Sequence, residues 1–250
     1  MAAALSYSDN IYAVKTHLFL GEDMLVKTAK RMGIEKDLPT IPSLPLGTAE
    51  ISMWDFANAY TTLASNGYKK DLGVILKVTD MHGNILYEKK NNSTQVLNSN
   101  YTFILNEMLT ATYNSAFIDY NTPTIISLGS KISRKYAMKT GSSGTDCYMI
   151  GYNPDILMLV WNGYDDNRQM NPVDGNISKN IWVNTVEEYL KDKEARWYDV
   201  PENVVGVPLD AITGNHAVND KKMYVYYYVK GSEYVNSEME YEGNKENITE

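Results

Sequence analysis

The sequence is poor in the residues that build disulfide-linked or metal-based scaffolds. Its 250 residues include one cysteine, Cys147, so no internal disulfide can form and a cysteine-rich metal site is excluded. The three histidines, His17, His82 and His216, are far apart and lack the spacing of metal ligands. We therefore expect no bound metal. Scarce cysteine suits an extracytoplasmic protein, and it suits many cytosolic ones equally well.

Long apolar runs and long basic runs are missing as well. No stretch approaches the ~20 apolar residues of a membrane span. The first residues, 1–5, lack the charged and apolar regions of a signal peptide. The net charge is −8 with no concentrated lysine or arginine, which argues against binding to nucleic acid or to anionic lipid. The 44% apolar content is enough to form a core.

Helix patterns come first along the chain and strand patterns follow, which predicts an α+β fold. Asp9 or Ser8 can cap the first helix, and three prolines exclude regular structure over 39–47. We predict helices over 9–20, 23–32, 52–65, 99–112 and 178–190, and strands over 73–79, 85–88, 136–141, 148–152, 156–161 and 223–229. The link between the strands 148–152 and 156–161 is too short for a parallel crossover, so 136–161 should form an antiparallel sheet.

The composition changes after Lys193, where prolines and glycines separate short apolar pieces. We therefore expect three parts. Residues 1–194 should form the main domain, and residues 195–236 a small β-rich C-terminal extension. Residues 237–250 are acidic and polar, which predicts a disordered tail.

Two short motifs carry the chemistry: Ser8-Asp9-Asn10 and Lys139-Thr140-Gly141-Ser142. They match two of the three signatures, S-x-x-K, S-D-N and K-T-G, of acyl-serine enzymes that process penicillin-like amides. The third signature is absent, because no serine in this chain has a lysine three residues after it. The S-x-x-K serine is the nucleophile and normally precedes S-D-N. We therefore expect the nucleophile to lie upstream of Met1.

Each motif residue has a chemical role in acyl transfer at a serine. Ser8 can relay a proton to the leaving group, and Asn10 can bind the substrate amide and the lysine of S-x-x-K. The ammonium of Lys139 raises the local potential and can assist proton transfer. We predict that Ser8, Asn10 and Lys139 are catalytic residues.

The three residues after Lys139 are candidate substrate-binding residues. The hydroxyls of Thr140 and Ser142 can bind a substrate carboxylate. Gly141 has no Cβ, so substrate backbone can lie against an edge strand there. The backbone N–H of Ser142 can point at the oxyanion, and losing one such donor costs about 3–4 kcal/mol of transition-state stabilisation.

Both motifs have structural alternatives. Ser8-Asp9-Asn10 can be no more than a helix N-cap. Lys139-Thr140-Gly141 is short enough to occur by chance. The sequence around the motifs therefore has to decide between a structural and a catalytic interpretation.

The surrounding sequence resembles class A, bifunctional penicillin-binding proteins from about Ala4 to Glu233. The matching segments are 4–14, which contains S-D-N; 44–50, LPLGTAE; 54–67, a helix ending at a glycine; 139–165, which contains K-T-G and two following strands; and 201–233, which is similar to their C-terminal extension. The resemblance implies an incomplete penicillin-binding or β-lactamase-like transpeptidase fold, in which an antiparallel sheet packs with helices. Cys147 stands where this family often has serine or an aromatic residue, and we expect it to be a buried or half-buried strand residue with no reactive thiol.

The resemblance also implies a function. The full enzyme would be a peptidoglycan D,D-transpeptidase at the extracytoplasmic face of a bacterial membrane, acting on D-Ala-D-Ala stem peptides and acylated by β-lactams. It implies no cofactor, and this chain without the nucleophile motif should be inactive alone. Two alternatives remain: a non-catalytic module that binds wall peptides or a partner, and a serine β-lactamase. The second fits less well, because such hydrolases end soon after K-T-G whereas this chain continues to Glu250.

Overall fold

The computed structural model describes residues 1–216 and 220–233. Within them, the α-helices are α1 (Ala2–Tyr7), α2 (Asn10–Leu20), α3 (Glu22–Met32), α4 (Met53–Ala64), α5 (Ser99–Met108) and α6 (Ile177–Leu190). The strands are β1 (Tyr68–Lys70), β2 (Lys77–Thr79), β3 (Ile85–Glu88), β4 (Ser93–Gln95), β5 (Ala137–Ser142), β6 (Asp146–Tyr152), β7 (Leu157–Gly163), β8 (Val204–Asp210) and β9 (Met223–Val229). Short 3-10 turns occupy Leu44–Leu46, Leu109–Tyr113, Ser115–Phe117, Ile126–Leu128, Pro172–Asn176 and Asp220–Lys222.

The predicted α+β class with antiparallel sheets is confirmed. All four sheets among the described residues are antiparallel. Side-chain caps start the longer helices where the sequence predicted: Asp9 accepts from the Tyr12 amide, and Ser52 from the Asp55 amide. Gly33 ends α3 in the left-handed conformation at φ 105°, which glycine adopts without steric cost.

Several elements differ from the prediction. The strand predicted over 73–79 forms only at Lys77–Thr79. Residues 89–98, where no helix or strand was predicted, contain β4, which pairs with β1. Both β1 and β4 are polar and three residues long, so they lack the apolar alternation on which strand prediction rests. The helix predicted over 99–112 is α-helical only to Met108 and continues as a 3-10 turn.

The sheet at the centre of the molecule has the order β5-β6-β7. Lys139 is paired with Ile150 on β6, and Gly141 with Tyr148. Of the strands described, only β6 pairs with β5, so the strand that carries Lys139 has a free edge. The predicted antiparallel arrangement and the predicted edge position of this strand are confirmed.

Helices cover both faces of this sheet. On one face Met138 and Met149 pack in a buried cluster with Trp182 and Val186 of α6. On the other face Tyr152 packs with Leu63 of α4 and with other buried side chains. The sheet is therefore held rigidly between two apolar layers. The polar C-terminal end of β5 lies at the open edge of the sheet.

The chain after α6 forms the hairpin β8-β9, in which Leu209 is paired with Tyr224. The sequence predicted β9 but not β8, because Gly206 and Pro208 interrupt its apolar pattern. A proline is tolerated in an edge strand, where its missing N–H breaks no ladder. The predicted acidic tail 237–250 lies outside the described residues. No helix within those residues has the length and apolarity to cross a bilayer.

We expect Gly151→Ala to destabilise the fold, because the β6 backbone touches Trp182 there. A Cβ at position 151 would lie 2.7 Å from Cε2 of Trp182, which is fully buried. Overpacking of this kind costs about 1–3 kcal/mol. The matched control is Gly141→Ala, whose Cβ would make an ordinary 3.8 Å contact with Tyr148. Chemical denaturation of both variants measures the difference, and equal stabilities would contradict the close approach.

Candidate active site

Ser8 lies at the joint between α1 and α2. It ends α1 in the left-handed region, at φ 56° and ψ 48°, and its amide donates to the Leu5 carbonyl at 3.2 Å. Asp9, and not Ser8, supplies the side-chain cap of α2. The motif therefore does supply a helix N-cap, through Asp9, and the Ser8 hydroxyl takes no part in that cap.

The backbone of Ser8 is unusual for its residue type. Few non-glycine residues have positive φ, and such residues persist only where surrounding contacts enforce them. The amide of Asp9 donates to the Ala4 carbonyl at 3.0 Å and locks this conformation. The Ser8 hydroxyl lies within hydrogen-bond distance of Lys139.

Lys139 lies on β5, partly buried, and its Nζ donates to Ser8 Oγ and to the Thr140 carbonyl, the latter at 2.9 Å. Both motifs have to face one substrate in a shared site, which predicts that Ser8 and Lys139 lie close together despite their separation in sequence, and the structure confirms this contact. Among the described residues no carboxylate forms an ion pair with Lys139. Its ammonium therefore relies on uncharged oxygen atoms.

Burial without a charged partner changes the acidity of Lys139. Removal from water disfavours the ammonium form and lowers the pKa of Lys139 from 10.5 to about 8. An amine with a pKa near the working pH can both give and accept a proton, which suits general acid–base catalysis. Ser8 is the hydroxyl placed to receive that proton.

Thr140, Gly141 and Ser142 continue β5 to its exposed end. Within the described residues, neither the Thr140 nor the Ser142 hydroxyl takes part in a hydrogen bond, so both can serve a ligand. The fold does not require glycine at 141, because a Cβ there would meet only Tyr148, at 3.8 Å. The absent side chain instead leaves the free strand edge open.

Asn10 is the first residue of α2 and is exposed. Its side chain makes no hydrogen bond with another described residue. The structure thus brings Ser8 together with Lys139 and leaves Asn10 beside them on the surface. The catalytic role predicted for Asn10 stays a prediction.

Comparison with known proteins identifies the family. The family model described as the penicillin binding protein transpeptidase domain matches residues 1–155. The chain belongs to this transpeptidase family. Penicillin-binding protein 2D of Bacillus subtilis is 39% identical over 235 residues, which are 93% of this chain and 34% of that protein. Penicillin-binding protein 1A of Neisseria meningitidis is 26% identical, with 81% of this chain and 26% of that protein covered.

Solved structures share the fold of this penicillin-binding transpeptidase chain. Penicillin-binding protein 1A from Haemophilus influenzae superposes with a TM-score of 0.82 at 21% identity, covering 94% of this chain and 40% of that one. Penicillin-binding protein 3 from Mycobacterium tuberculosis, complexed with aztreonam, has a TM-score of 0.58 at 13% identity, covering 77% of this chain and 52% of that one. The chain spans about a third of the length of the Bacillus relative. The family resemblance read from the sequence is confirmed.

In this transpeptidase chain a carboxylate organises the turn after the K-T-G strand. Asp146 Oδ2 accepts from Thr145 Oγ1 at 2.6 Å and from Ser143 Oγ at 3.1 Å, and Oδ1 accepts from Trp161 Nε1 at 2.9 Å. These hydrogen bonds lower the pKa of Asp146, and the bond from Thr145 has the largest effect. The carboxylate ties the turn to β7 and so fixes the end of β5 beyond Ser142.

The role of Asp146 was not inferred from the sequence. The pattern Ser143-x-x-Asp146 was the available local signal, since serine and aspartate at this spacing bond to turn amides. The Ser143 Oγ indeed accepts from the Asp146 amide at 3.0 Å. The partner Trp161 could not be read from the sequence, because its contact depends on the β6-β7 register.

Cys147 and His17 have structural roles in this transpeptidase chain. Cys147 is buried on β6, as predicted, and burial raises the pKa of its thiol, which disfavours the reactive thiolate. His17 is buried in α2 with Nε2 3.1 Å from the Ile41 carbonyl. Within the part of the chain that the structure describes, no group of three or more His, Cys, Asp or Glu could hold a metal ion.

Ser8→Ala should lower the pKa of Lys139 still further below about 8. The Ser8 oxygen accepts from the ammonium and therefore stabilises the charged form. NMR titration of the lysine side-chain carbons measures the change. Ser130→Ala, an exposed serine away from the motifs, is the matched control and should leave the pKa in place. An unchanged pKa in Ser8→Ala would show that the hydroxyl does not contact Lys139 in solution.

Asp146→Asn should reduce the free energy of unfolding at pH 7 by about 1 kcal/mol, since an amide cannot accept from all three donors. The folded pKa of Asp146 lies below its ordinary 3.8. The carboxylate therefore stabilises the fold above the unfolded pKa, and this contribution disappears as the pH falls through the folded pKa. The difference from wild type should shrink between pH 7 and pH 3, as urea denaturation will test. Asp166→Asn changes an exposed neighbouring carboxylate and is the control. A difference in the free energy of unfolding between Asp146→Asn and wild type that did not change with pH would refute the role of the Asp146 carboxylate.

Proposed function

We propose that this chain supplies the Ser8–Lys139 side of a peptidoglycan D,D-transpeptidase site. The observation that carries the proposal is the hydrogen bond from a partly buried lysine to the serine of the S-D-N motif at a free strand edge. Membership of the penicillin-binding transpeptidase family supports it. The substrates would be D-Ala-D-Ala stem peptides, and β-lactams would act as their mimics.

In the proposed acylation, the S-x-x-K serine attacks the carbonyl carbon of the penultimate D-Ala. The C–O bond to the serine forms while the lysine of S-x-x-K takes the proton of the serine hydroxyl. The C–N bond to the terminal D-Ala then breaks, and the departing amine needs a proton. Lys139 can supply that proton through the Ser8 hydroxyl, because its lowered pKa, about 8, makes proton release easier. Lys139 is restored by a proton from solvent or from the amine that attacks in the second half-reaction.

Binding of the substrate is proposed to use the end of β5. The free backbone edge can pair with an extended peptide, which is how peptides add to exposed sheet edges. The Thr140 and Ser142 hydroxyls would bind the terminal carboxylate, and the Ser142 amide would face the oxyanion. Asn10 would bind the substrate amide from the opposite side.

The proposed location follows from the proposed substrate. Peptidoglycan is cross-linked outside the cytoplasmic membrane, so the protein would act at the extracytoplasmic face. The net charge of −8 gives no support to a nucleic-acid partner. Penicillin-binding protein 3 from Mycobacterium tuberculosis, which has a similar fold, was solved in complex with aztreonam, and this supports the proposal that β-lactams are recognised.

A second candidate is a non-catalytic module that binds wall peptides. One observation favours it: no serine in these 250 residues has a lysine three positions later, and an unassisted serine hydroxyl is a poor nucleophile at neutral pH. The open strand edge and the free hydroxyls would still bind a peptide carboxylate. Covalent labelling separates the two candidates.

We expect this chain alone to resist acylation by fluorescent penicillin. A longer protein, in which a segment carrying S-x-x-K precedes Met1, should be labelled with 1:1 stoichiometry. Lys139→Ala in that longer protein should slow acylation by roughly 10²–10⁴-fold, the usual contribution of general acid–base catalysis. Intact-mass spectrometry and gel fluorescence measure both results.

Ser130→Ala in the longer protein is the control and should be labelled at the normal rate. A stoichiometric penicilloyl adduct on the 250 residues alone would show that a serine within this chain is activated. That result would contradict the proposal that the nucleophile belongs to a segment before Met1. A longer protein that binds wall peptides but is never labelled would favour the binding module.

A further inference from the structure

The position of Ser8 depends on a helix that cannot be stable by itself. Helix α1 has only six residues, Ala2–Tyr7, and isolated helices shorter than ~12–15 residues are marginal in water. Ser8 is its C-terminal cap, so the Ser8 hydroxyl can stay against Lys139 only if other parts of the chain hold α1.

Contacts with distant parts of the chain, among them the following, hold α1 in place. Ala2, 1% exposed, packs in a cluster whose buried members are Ala2, Ala111, Ala116, Phe117, Ala211 and Tyr224. The Tyr7 hydroxyl donates to the Phe117 carbonyl at 2.5 Å, and the Thr124 amide donates to the Ser6 carbonyl at 2.9 Å. Two members of the cluster, Ala211 and Tyr224, come from the C-terminal hairpin region.

Tyr224 is the large side chain that the C-terminal hairpin contributes. Its ring meets the Phe117 ring edge to face, with centroids 4.8 Å apart. Its hydroxyl donates to the Glu107 carbonyl at 2.6 Å. The other buried members apart from Phe117 are alanines, so Phe117 and Tyr224 are the two large buried side chains of the cluster, and Met108, Ile212 and Tyr226 pack partly buried against it. Removing the Tyr224 ring would leave a void there, and close-packed interiors close such voids only in part.

We infer that the β8-β9 hairpin, through the Tyr224 ring, is a positioning element that holds α1 and thereby keeps the Ser8 hydroxyl against Lys139. Tyr224 packs in one cluster with Phe117 and Ala2, and α1 connects Ala2 to its C-terminal cap, Ser8. The effect of Tyr224 on the position of Ser8 is transmitted through these contacts. Phe117 is held to Tyr7, the residue before Ser8. Tyr224 is thus a positioning residue that touches neither substrate nor Lys139. The catalytic consequence rests on the proposed function, whereas the mechanical coupling does not.

Amide hydrogen exchange in this chain tests the coupling directly. The Ser8 and Asp9 amides are protected by bonds to Leu5 and Ala4, which exist only while α1 is formed. Tyr224→Ala should accelerate exchange at both amides at least tenfold, while the amides of β6 stay protected. Tyr224→Phe keeps the ring and should behave like wild type. Val225→Ala, the exposed neighbour on the other face of β9, is the matched control and should change neither amide.

Unchanged protection of Ser8 and Asp9 in a folded Tyr224→Ala variant would overturn the inference. If β6 loses protection too, the variant has unfolded, and Tyr224→Leu then decides, because it keeps apolar volume but not the ring. Tyr224→Leu should accelerate amide exchange at Ser8 and Asp9 selectively. Faster exchange only at other amides, or no change in exchange at all, would refute the coupling. None of these measurements depends on acylation, so they stand apart from the test of function.

Acylation of the longer protein gives a second readout. Tyr224→Ala should lower the rate constant for acylation about tenfold or more and leave the dissociation constant of the penicillin unchanged, because Thr140 and Ser142 remain in place. Tyr224→Phe should restore the rate. A variant that weakens binding and acylation equally, or that Phe does not rescue, would show a merely structural role for Tyr224.

Discussion

The hydrogen bond between Lys139 and Ser8 is the constraint around which the molecule is organised. It joins residues 131 positions apart and connects the helical joint at the start of the chain to the free edge of the central sheet. For the bond to exist, β5 must lie at the rim with its polar end uncovered, and α1 must end in a left-handed cap. The sheet, its two covering layers and the C-terminal hairpin all serve one of these two requirements.

The same arrangement sets the acidity of Lys139. A lysine on an exposed strand would keep an ordinary pKa, whereas burial without a carboxylate partner lowers it to about 8. The acidity of Lys139 is therefore a property of its burial as much as of the lysine itself.

Strongly patterned elements were predictable from the sequence, and weakly patterned ones were not. The helices α2, α3, α4 and α6 and the strands β5, β6 and β7 lie within about two residues of their predicted bounds. Helix α1 and the strands β1, β4 and β8 were missed. Helix α1 is short and held by tertiary packing, β1 and β4 are polar, and β8 contains a glycine and a proline. In each case distant partners override a weak local preference.

The sequence by itself determined the chemistry available to this protein: two motifs with a serine, an amide, a lysine, two hydroxyls and a glycine, and a family that the comparisons confirm. Only the tertiary structure decided which of these groups meet, how acidic Lys139 is, and that Asp146 and Tyr224 support the site from outside the motifs. The physical reason is that motifs and periodicity are local properties of the chain. Contact, burial and pKa depend on side chains that folding brings from far along it.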